Sequence, residues 1–390
     1  MGPPFARNKG TSYRTEQRAA MTAFVRPSIP RGATTLERHW YADAAVFAQE
    51  QDRIFGVSWI AIGRADAIES PGSYLLADVA GESLIVVRDA GLRLRAFFNV
   101  CRHRGTRLCV EPKGAFKGSI QCPYHAWTYG LDGSLLAARN MEGVEGFEKS
   151  DYPLKEAGCA VFNGFIFVNV GVGQPPFETT FASVLHRFDA WQIGSLRSAS
   201  RINYDVACNW KFVFQNYSEC YHCPVIHPQL EKLSPSDSGR NDLSEGAFLG
   251  GYSTLRDDQQ SLTLTGHTSR APISSVSRAD HNRVYYYTIF PSMLLSLHPD
   301  YVMAHYVTPL AVDRTHIVCE WLFEPRAMSD PRFDPSDAVQ FWDLTNRQDW
   351  RVSELSHAGA KSRAYTPGPY SHAEGLLAAF DRHYLSLMEG

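Results

Sequence analysis

The sequence predicts an α+β protein in which an antiparallel β domain precedes a larger domain with helices covering an antiparallel sheet. Between residues 56 and 172 the apolar residues fall in short runs near Gly, Pro or Asp, which is typical of antiparallel strands joined by turns. After residue 283, long β-rich runs precede two stretches with helical spacing, residues 335–359 and 373–389. A chain of 390 residues is long enough to bury two sizeable cores.

Composition divides the chain into four segments. Residues 1–34 are predicted to be a flexible N-terminal arm, since their first part is polar. Residues 35–55 carry apolar side chains at helical spacing after a threonine cap, and are predicted to be a helical lead-in that packs on the second domain. The β domain spans residues 56–172. The second domain spans residues 173–390, begins at a proline-rich linker, and has a further predicted helix at residues 180–193.

Composition also excludes several classes of function. A net charge of -3 gives no sign of a surface for nucleic acid or for an anionic membrane. The longest apolar run, residues 160–172, is too short to cross a bilayer and is broken by Asn and Gly. The N-terminus lacks an apolar signal core, so we expect a cytoplasmic protein. Eight cysteines in such a chain do not indicate a disulfide framework.

Two short motifs in the β domain pair cysteine with histidine. Cys101 and His103 form C-x-H, and after eighteen residues Cys122 and His125 form C-x2-H. Each loop therefore offers one thiolate and one imidazole, whereas zinc fingers commonly group two cysteines in one element and two histidines in another. A Rieske [2Fe–2S] cluster uses two cysteines on one iron and two histidines on the other. The alternatives are a structural zinc site and a chance cluster.

A third motif lies in the second domain, in the sequence NYSECYHCPVIHP. Glu219, His222 and His227 form E-x2-H-x4-H, and on a helix Glu219 and His222 would share a face. Pro224 predicts that such a helix ends or kinks just after His222. Two imidazoles and one carboxylate make the facial triad that holds non-haem Fe(II) and leaves positions open for O₂.

The spacing alone leaves the carboxylate ligand undecided. Glu219 is one candidate, and the late helix offers Asp349 and Asp343 as others. A zinc knuckle that uses Cys220 and Cys223 with the two histidines is a competing interpretation. The simpler interpretation of these two cysteines is that both pack as small apolar side chains.

Taken as a set, these motifs resemble the catalytic α subunit of the Rieske non-haem iron oxygenases, over residues 38 to 385. The resemblance implies a catalytic domain of the helix-grip type. It also implies two cofactors, a Rieske [2Fe–2S] cluster and a mononuclear Fe(II), and O₂ as co-substrate. It makes Cys101, His103, Cys122 and His125 the cluster ligands. It also implies electrons from a separate flavin- or ferredoxin-type NAD(P)H reductase.

The resemblance also implies which carboxylate binds the iron. In that family the late aspartate is the iron ligand and often follows Gln or Glu, as Asp349 follows Gln348; Asp343 is the reserve. The iron ligands are then His222, His227 and Asp349. Family members form homotrimers with electron transfer between subunits, so Glu219 is expected to bridge His222 and His125 of the partner subunit.

The substrate is less well defined by the sequence. Asn216 precedes Glu219 by three positions, and this region looks closer to the branch of choline monooxygenase, carnitine oxygenase and glycine-betaine demethylase than to arene dioxygenases. The expected reaction is hydroxylation or oxidative N-demethylation of a small quaternary ammonium or N-methyl compound; an aromatic-ring dioxygenase is the alternative. An aromatic cage would suit such a cation, and the candidates in the β-rich runs are Tyr285, Tyr287, Phe290, Tyr301, Tyr306 and Trp321.

Overall fold

A computed structural model describes Val25 and residues 27–390. Most of the predicted arm, residues 1–34, therefore lies outside the described residues. In the described part of the chain, no helix is both long enough and apolar enough to cross a membrane.

The lead-in is helical, as predicted. Its elements are α1 (Arg38–Ala42), α2 (Ala44–Glu50) and a wider turn of helix, Gln51–Phe55. The carboxylate of Asp43 accepts a hydrogen bond from the backbone N–H of Ala45 at 2.8 Å, which caps the start of α2.

The first domain is built on a seven-stranded antiparallel sheet of order β1-β10-β9-β4-β3-β2-β5, with a separate three-stranded sheet, β6-β7-β8. The three-stranded sheet carries the second Cys/His motif between β6 and β7. The strands are β1 (Ile60–Arg64), β2 (Ser73–Val79), β3 (Glu82–Arg88), β4 (Leu94–Phe98), β5 (Lys113–Ala115), β6 (Ser119–Gln121), β7 (Thr128–Gly130), β8 (Leu135–Ala137), β9 (Glu156–Phe162) and β10 (Phe165–Asn169).

The second domain has one seven-stranded antiparallel sheet with helices against it, which together with the first domain confirms the predicted α+β class. Its order is β11-β17-β16-β15-β14-β13-β12. The strands are β11 (Arg197–Val206), β12 (Arg240–Glu245), β13 (Phe248–Thr254), β14 (Arg283–Ile289), β15 (Met293–Leu297), β16 (Val302–Ala311) and β17 (Arg314–Phe323).

The two long helices predicted near the C-terminus are present as α8 and α9. Helix α8 packs on α4 and β11, and α9 packs on β12 and β13. The helices after the lead-in are α3 (Phe177–Thr180), α4 (Trp210–Tyr217), α5 (Cys223–Ile226), α6 (Pro228–Leu233), α7 (Pro325–Met328), α8 (Ser336–Ala360) and α9 (Gly375–Glu389).

The predicted helix at residues 180–193 is wrong. After α3 the chain continues in turns and in two short 3₁₀ segments, Asp189–Trp191 and Ile193–Ser195. The side chains of Phe181, Phe188 and Trp191 are all buried in the cluster that packs on one face of the second sheet. Packing of these aromatic rings therefore overrides the helical periodicity of the segment.

A buried ion pair joins the lead-in to the second domain. Glu50 and Lys211 form a salt bridge, and both side chains are fully buried. The other oxygen of Glu50 accepts a hydrogen bond from Trp210 Nε1 at 2.8 Å, and Tyr384 also donates to Glu50, at 2.6 Å. Burial lowers the pKa of Lys211, while the charge of Glu50 opposes that shift. The pair thus connects α2, α4 and α9.

We expect Glu50→Ala to lower the free energy of unfolding by about 3–5 kcal/mol, because it leaves the Lys211 ammonium buried without its counter-charge. Thermal unfolding followed by circular dichroism measures this effect as a lower midpoint. The exposed pair Asp205 and Arg314 is the control, and Asp205→Ala should shift the midpoint little. Equal shifts for the two variants would contradict the prediction.

Candidate active site

The two Cys/His motifs of the first domain lie side by side at the tips of two loops. Cys101 and Cys122 are buried, whereas His103 is exposed and His125 is partly exposed. The rings of the two histidines have their centroids 4.7 Å apart. Two thiols and two imidazoles at the tips of adjacent loops are the donor set that would hold a Rieske cluster, with the cysteines on one iron and the histidines on the other.

Two aromatic side chains contact Cys101 and His103 in these loops. Tyr129 Oη lies 3.3 Å from Cys101 Sγ and accepts a hydrogen bond from the backbone N–H of Arg102 at 3.0 Å. Trp127 stacks on the ring of His103 with a centroid distance of 4.9 Å. Burial raises the pKa of the Cys101 thiol, and the hydrogen bond from Tyr129 opposes that rise. Sequence reasoning missed Tyr129 and Trp127, although both follow the C-x2-H motif at short spacing.

The loop with the E-x2-H-x4-H motif differs from its prediction. Helix α4 ends at Tyr217, before Glu219, so Glu219 and His222 do not share a helical face. Pro224 lies in the first turn of the short helix α5. A backbone N–H in the first turn has no acceptor within the helix, so the proline loses no hydrogen bond there. Pro224 therefore begins a helix and does not end one. The loop between α4 and α5 carries Glu219 and His222.

This loop brings three of the predicted site residues together. His222 Nε2 and His227 Nε2 lie 3.2 Å apart. Asp349 Oδ1, from helix α8, lies 2.7 Å from His227 Nε2 and 3.3 Å from His222 Nε2. The three ligand atoms converge within 4.8 Å of one another. Two imidazoles with one carboxylate are a suitable donor set for non-haem iron, and they leave coordination positions open.

The Nδ1 atoms of both histidines, which point away from Asp349, are hydrogen-bonded to other side chains. His227 Nδ1 lies 2.8 Å from Gln348 Oε1, and His222 Nδ1 bonds to the carboxylate of Glu219. Each acceptor takes the proton of Nδ1, so Nε2 of each ring is directed at the other histidine and at Asp349. A metal ion bound there would replace any proton on Nε2 and leave the proton on Nδ1 in place.

The same contacts shift the pKa values within the cluster. Burial alone would lower the pKa of His222, but hydrogen bonds and charge from Asp349 and Glu219 raise it to about 10. Burial would raise the pKa of Asp349, but its hydrogen bonds with the two histidines more than offset burial and lower it. The Asp349 carboxylate is therefore held in its charged form, which favours binding of a metal cation between the two imidazoles.

The reserve candidate Asp343 lies outside this cluster. Its Oδ1 accepts a hydrogen bond from Tyr204 Oη at 2.8 Å, and its Oδ2 accepts one from Arg347 Nε at 3.0 Å. Both oxygens are thus occupied away from the histidines. The geometry favours Asp349 over Asp343.

Cys220 and Cys223 are joined by a disulfide bond, so the prediction that they are merely small apolar side chains is wrong. The two cysteines are three positions apart, so the bond closes a ring of four residues, Cys220 to Cys223. The turn before α5 makes this possible, because it brings the two Cα atoms to 4.9 Å from each other. The other cysteines in the described residues are free.

A cavity of about 560 Å³ reaches the triad of His222, His227 and Asp349. Its lining includes His222, His227 and Asp349, together with Tyr217, Tyr286 and Trp342, and these three aromatic rings are neighbours with centroid distances of 6.1 and 6.3 Å. Tyr286 packs edge-on against both of the other rings. Among the described residues that line this cavity there is no Lys or Arg.

None of the aromatic residues suggested from the sequence lines this cavity. Tyr285 and Tyr287 flank Tyr286 on β14 and point to the opposite face of the sheet, where they pack in the cluster of Phe188 and Trp191. The helical spacing i, i+3, i+7 relates Trp342, Thr345 and Asp349, all of which line the cavity, so the late helix held a usable signal for Trp342.

Comparison with known proteins identifies both domains. Residues 58–148 match the family model of the Rieske [2Fe-2S] domain, and residues 193–390 match that of the ring hydroxylating alpha subunit, catalytic domain. The chain belongs to the Rieske oxygenase α-subunit family. This oxygenase therefore has a Rieske [2Fe–2S] cluster and a mononuclear iron as cofactors and O₂ as co-substrate.

Named relatives of the oxygenase cover most of its length. It is 36% identical to the carnitine monooxygenase oxygenase subunit of Acinetobacter baumannii over 341 residues, covering 86% of this chain and 88% of that protein. It is 30% identical to the glycine betaine monooxygenase oxygenase subunit of Chromohalobacter salexigens over 371 residues, covering 87% and 82%. A solved quaternary ammonium Rieske monooxygenase, described for carnitine oxidation and inter-subunit electron transfer, superposes with a TM-score of 0.78 at 25% identity, covering 92% and 96% of the chains.

Proposed function

We propose that the oxygenase hydroxylates a carbon of a small quaternary ammonium or N-methyl compound. The observation that carries this proposal is the aromatic wall of Tyr217, Tyr286 and Trp342 in the cavity that reaches the triad. Aromatic faces attract a trimethylammonium group, which cannot accept or donate a hydrogen bond. A lining without Lys or Arg among the described residues also suits a cation.

We assign His222, His227 and Asp349 as the iron ligands, and Cys101, His103, Cys122 and His125 as the cluster ligands. When bound, the cluster supplies single electrons and the iron binds and reduces O₂. The chain's own contribution is positional. Gln348 and Glu219 fix the histidine tautomers, and the cavity presents one carbon of the substrate to the triad. If that carbon is an N-methyl, the hydroxylated product loses formaldehyde.

The assembly and electron source form the second part of the proposal. We propose a cytoplasmic homotrimer in which Glu219 links His222 to His125 of the partner subunit, fed by a flavin- or ferredoxin-type NAD(P)H reductase. Support comes from exposure: His125 is partly exposed and His103 is exposed, so the cluster can be approached by another subunit. The solved relative described for inter-subunit electron transfer also supports this arrangement.

The relatives reported above favour an amine over an arene, because they are named for carnitine and glycine betaine. The polar residues of the cavity lining, among them Ser218, Thr288 and Thr345, also suit the polar end of such an amine.

A substrate panel tests the proposal. Reduced oxygenase with a suitable reductase is offered choline, glycine betaine, carnitine, stachydrine and benzoate, and O₂ uptake and formaldehyde are measured. We expect at least one quaternary amine to be oxidised with kcat/KM about tenfold or more above its neutral isostere, since a desolvated cation–π contact contributes on the order of 1–2 kcal/mol. For choline, that isostere is 3,3-dimethylbutanol.

Trp342→Leu is the matched variant, because it keeps an apolar side chain and removes the aromatic face. It should reduce the preference for the cation over the isostere and leave the iron content unchanged. Oxidation of benzoate alone, or equal rates for the cation and the isostere in the unmodified protein, would contradict the proposed substrate class.

A further inference from the structure

The disulfide between Cys220 and Cys223 encloses one of the proposed iron ligands. His222 lies inside the four-residue ring that the bond closes, and Glu219 immediately precedes it. The carboxylate of Glu219 also accepts hydrogen bonds from the backbone N–H groups of Tyr221 and His222, the latter at 3.2 Å. The bond therefore constrains the loop that positions both residues.

The bond is close to the triad itself. Cys223 Sγ lies 4.0 Å from His222 Nε2, the nitrogen that faces His227 and Asp349. A change in the oxidation state of this sulfur therefore takes place in direct contact with a proposed iron ligand. No other cysteine of the described residues lines the cavity.

Small molecules can reach the pair from the cavity. Cys220 and Cys223 both line it. Cys220 is partly exposed, whereas Cys223 is buried. A small oxidant would therefore meet Cys220 first, and Cys223 is positioned to resolve the product.

We propose that Cys220 and Cys223 form a reversible redox modification site that clamps the iron-site loop. The proposal rests on His222 being an iron ligand, as proposed above. The oxidant class is a hydroperoxide, with hydrogen peroxide as the simplest member. The thiolate of Cys220 attacks one peroxide oxygen, which forms a sulfenic acid and releases one water; the thiol of Cys223 then attacks that sulfur, which forms the disulfide and releases the second water. Two thiols lose two electrons and two protons, and a dithiol reverses the reaction by exchange.

The two forms differ in how firmly the loop is held. In the disulfide form the ring restricts the backbone on both sides of His222. In the dithiol form that restriction is lost, so states in which His222 has left the triad become more accessible. Reduction should therefore speed the loss of the mononuclear iron without affecting the cluster ligands of the first domain.

The test compares the two forms of the intact protein. The oxygenase is treated with dithiothreitol or with hydrogen peroxide, freed of reagent, loaded with Fe(II), and only then mixed with a ferrous chelator; alkylation and peptide mass mapping report the state of each cysteine. We expect both thiols to be alkylated after dithiothreitol and protected after peroxide. We expect iron loss at least about fivefold faster from the dithiol form, given the entropy that closure of a short loop removes.

Cys220→Ser should lose iron at the dithiol rate whatever the treatment, and Cys159→Ser, a free cysteine of the first domain, should behave like the unmodified chain. Two alkylatable thiols after peroxide, or equal iron loss from both forms, would overturn the proposal; the unmodified protein decides this even if Cys220→Ser does not fold. Failure of the proposed iron site is distinct, since iron content would then not depend on Asp349.

Discussion

Asp349→Ala is expected to empty the mononuclear site while leaving the Rieske spectrum unchanged. The variant loses the only carboxylate that contacts both histidine Nε2 atoms within the described residues, at 2.7 and 3.3 Å. Two imidazoles alone are a neutral donor pair, so we expect iron occupancy of this site to fall below about a tenth. Turnover should fall more than the ~10–100-fold that removal of an outer hydrogen-bond partner typically costs.

Iron analysis and visible absorption of the purified variant measure the two centres separately. Asp343→Ala is the matched control, because it removes a carboxylate from the same helix whose partners are Tyr204 and Arg347. It should keep both centres. Loss of iron from Asp343→Ala, with full occupancy in Asp349→Ala, would transfer the ligand role to Asp343.

The structure brings together the residues that the sequence singled out, but their local structure differs from the prediction. Spacing alone singled out His222 and His227 as candidate ligands, because such a motif depends on side-chain type and a few intervening residues. It did not show that α4 ends at Tyr217, since the position of a helix end depends on what the neighbouring turn packs against. The disulfide was missed for a related reason: it depends on a turn that brings two Cα atoms close, and residue types do not specify that turn.

The cavity wall shows a different limit. Three consecutive tyrosines, Tyr285 to Tyr287, look alike in a sequence, but neighbouring residues on a strand point to opposite faces. Only the register of β14 in the sheet determines which of them faces Trp342. The same dependence on tertiary packing explains residues 180–193, where buried Phe181 and Phe188 fix the chain against the opposite face of the sheet. Fold class and long helices follow from local patterns, whereas the choice of face does not.

Glu219→Gln is expected to keep both metal centres and lose most turnover. An amide oxygen can still accept the hydrogen bond from His222 Nδ1, so the histidine keeps its tautomer and the iron its ligand. The amide carries no negative charge for His125 of the partner subunit. Electron transfer between subunits should therefore slow, and we expect single-turnover oxidation of the reduced cluster by O₂ and substrate to fall by about 100-fold or more.

Gln348→Ala separates this bridging role from simple positioning. Gln348 accepts a hydrogen bond from the other histidine, His227, at 2.8 Å, so it offers the same kind of support without a proposed link to another subunit. If Glu219 only orients its histidine, neither variant should slow the oxidation of the cluster in iron-loaded protein: Glu219→Gln keeps the hydrogen bond to His222, and Gln348→Ala weakens only iron binding. If Glu219 carries the link, Glu219→Gln alone should slow that rate at full iron occupancy. Since the measurement is made on one turnover of preloaded protein, neither reductase docking nor iron loss can produce that difference.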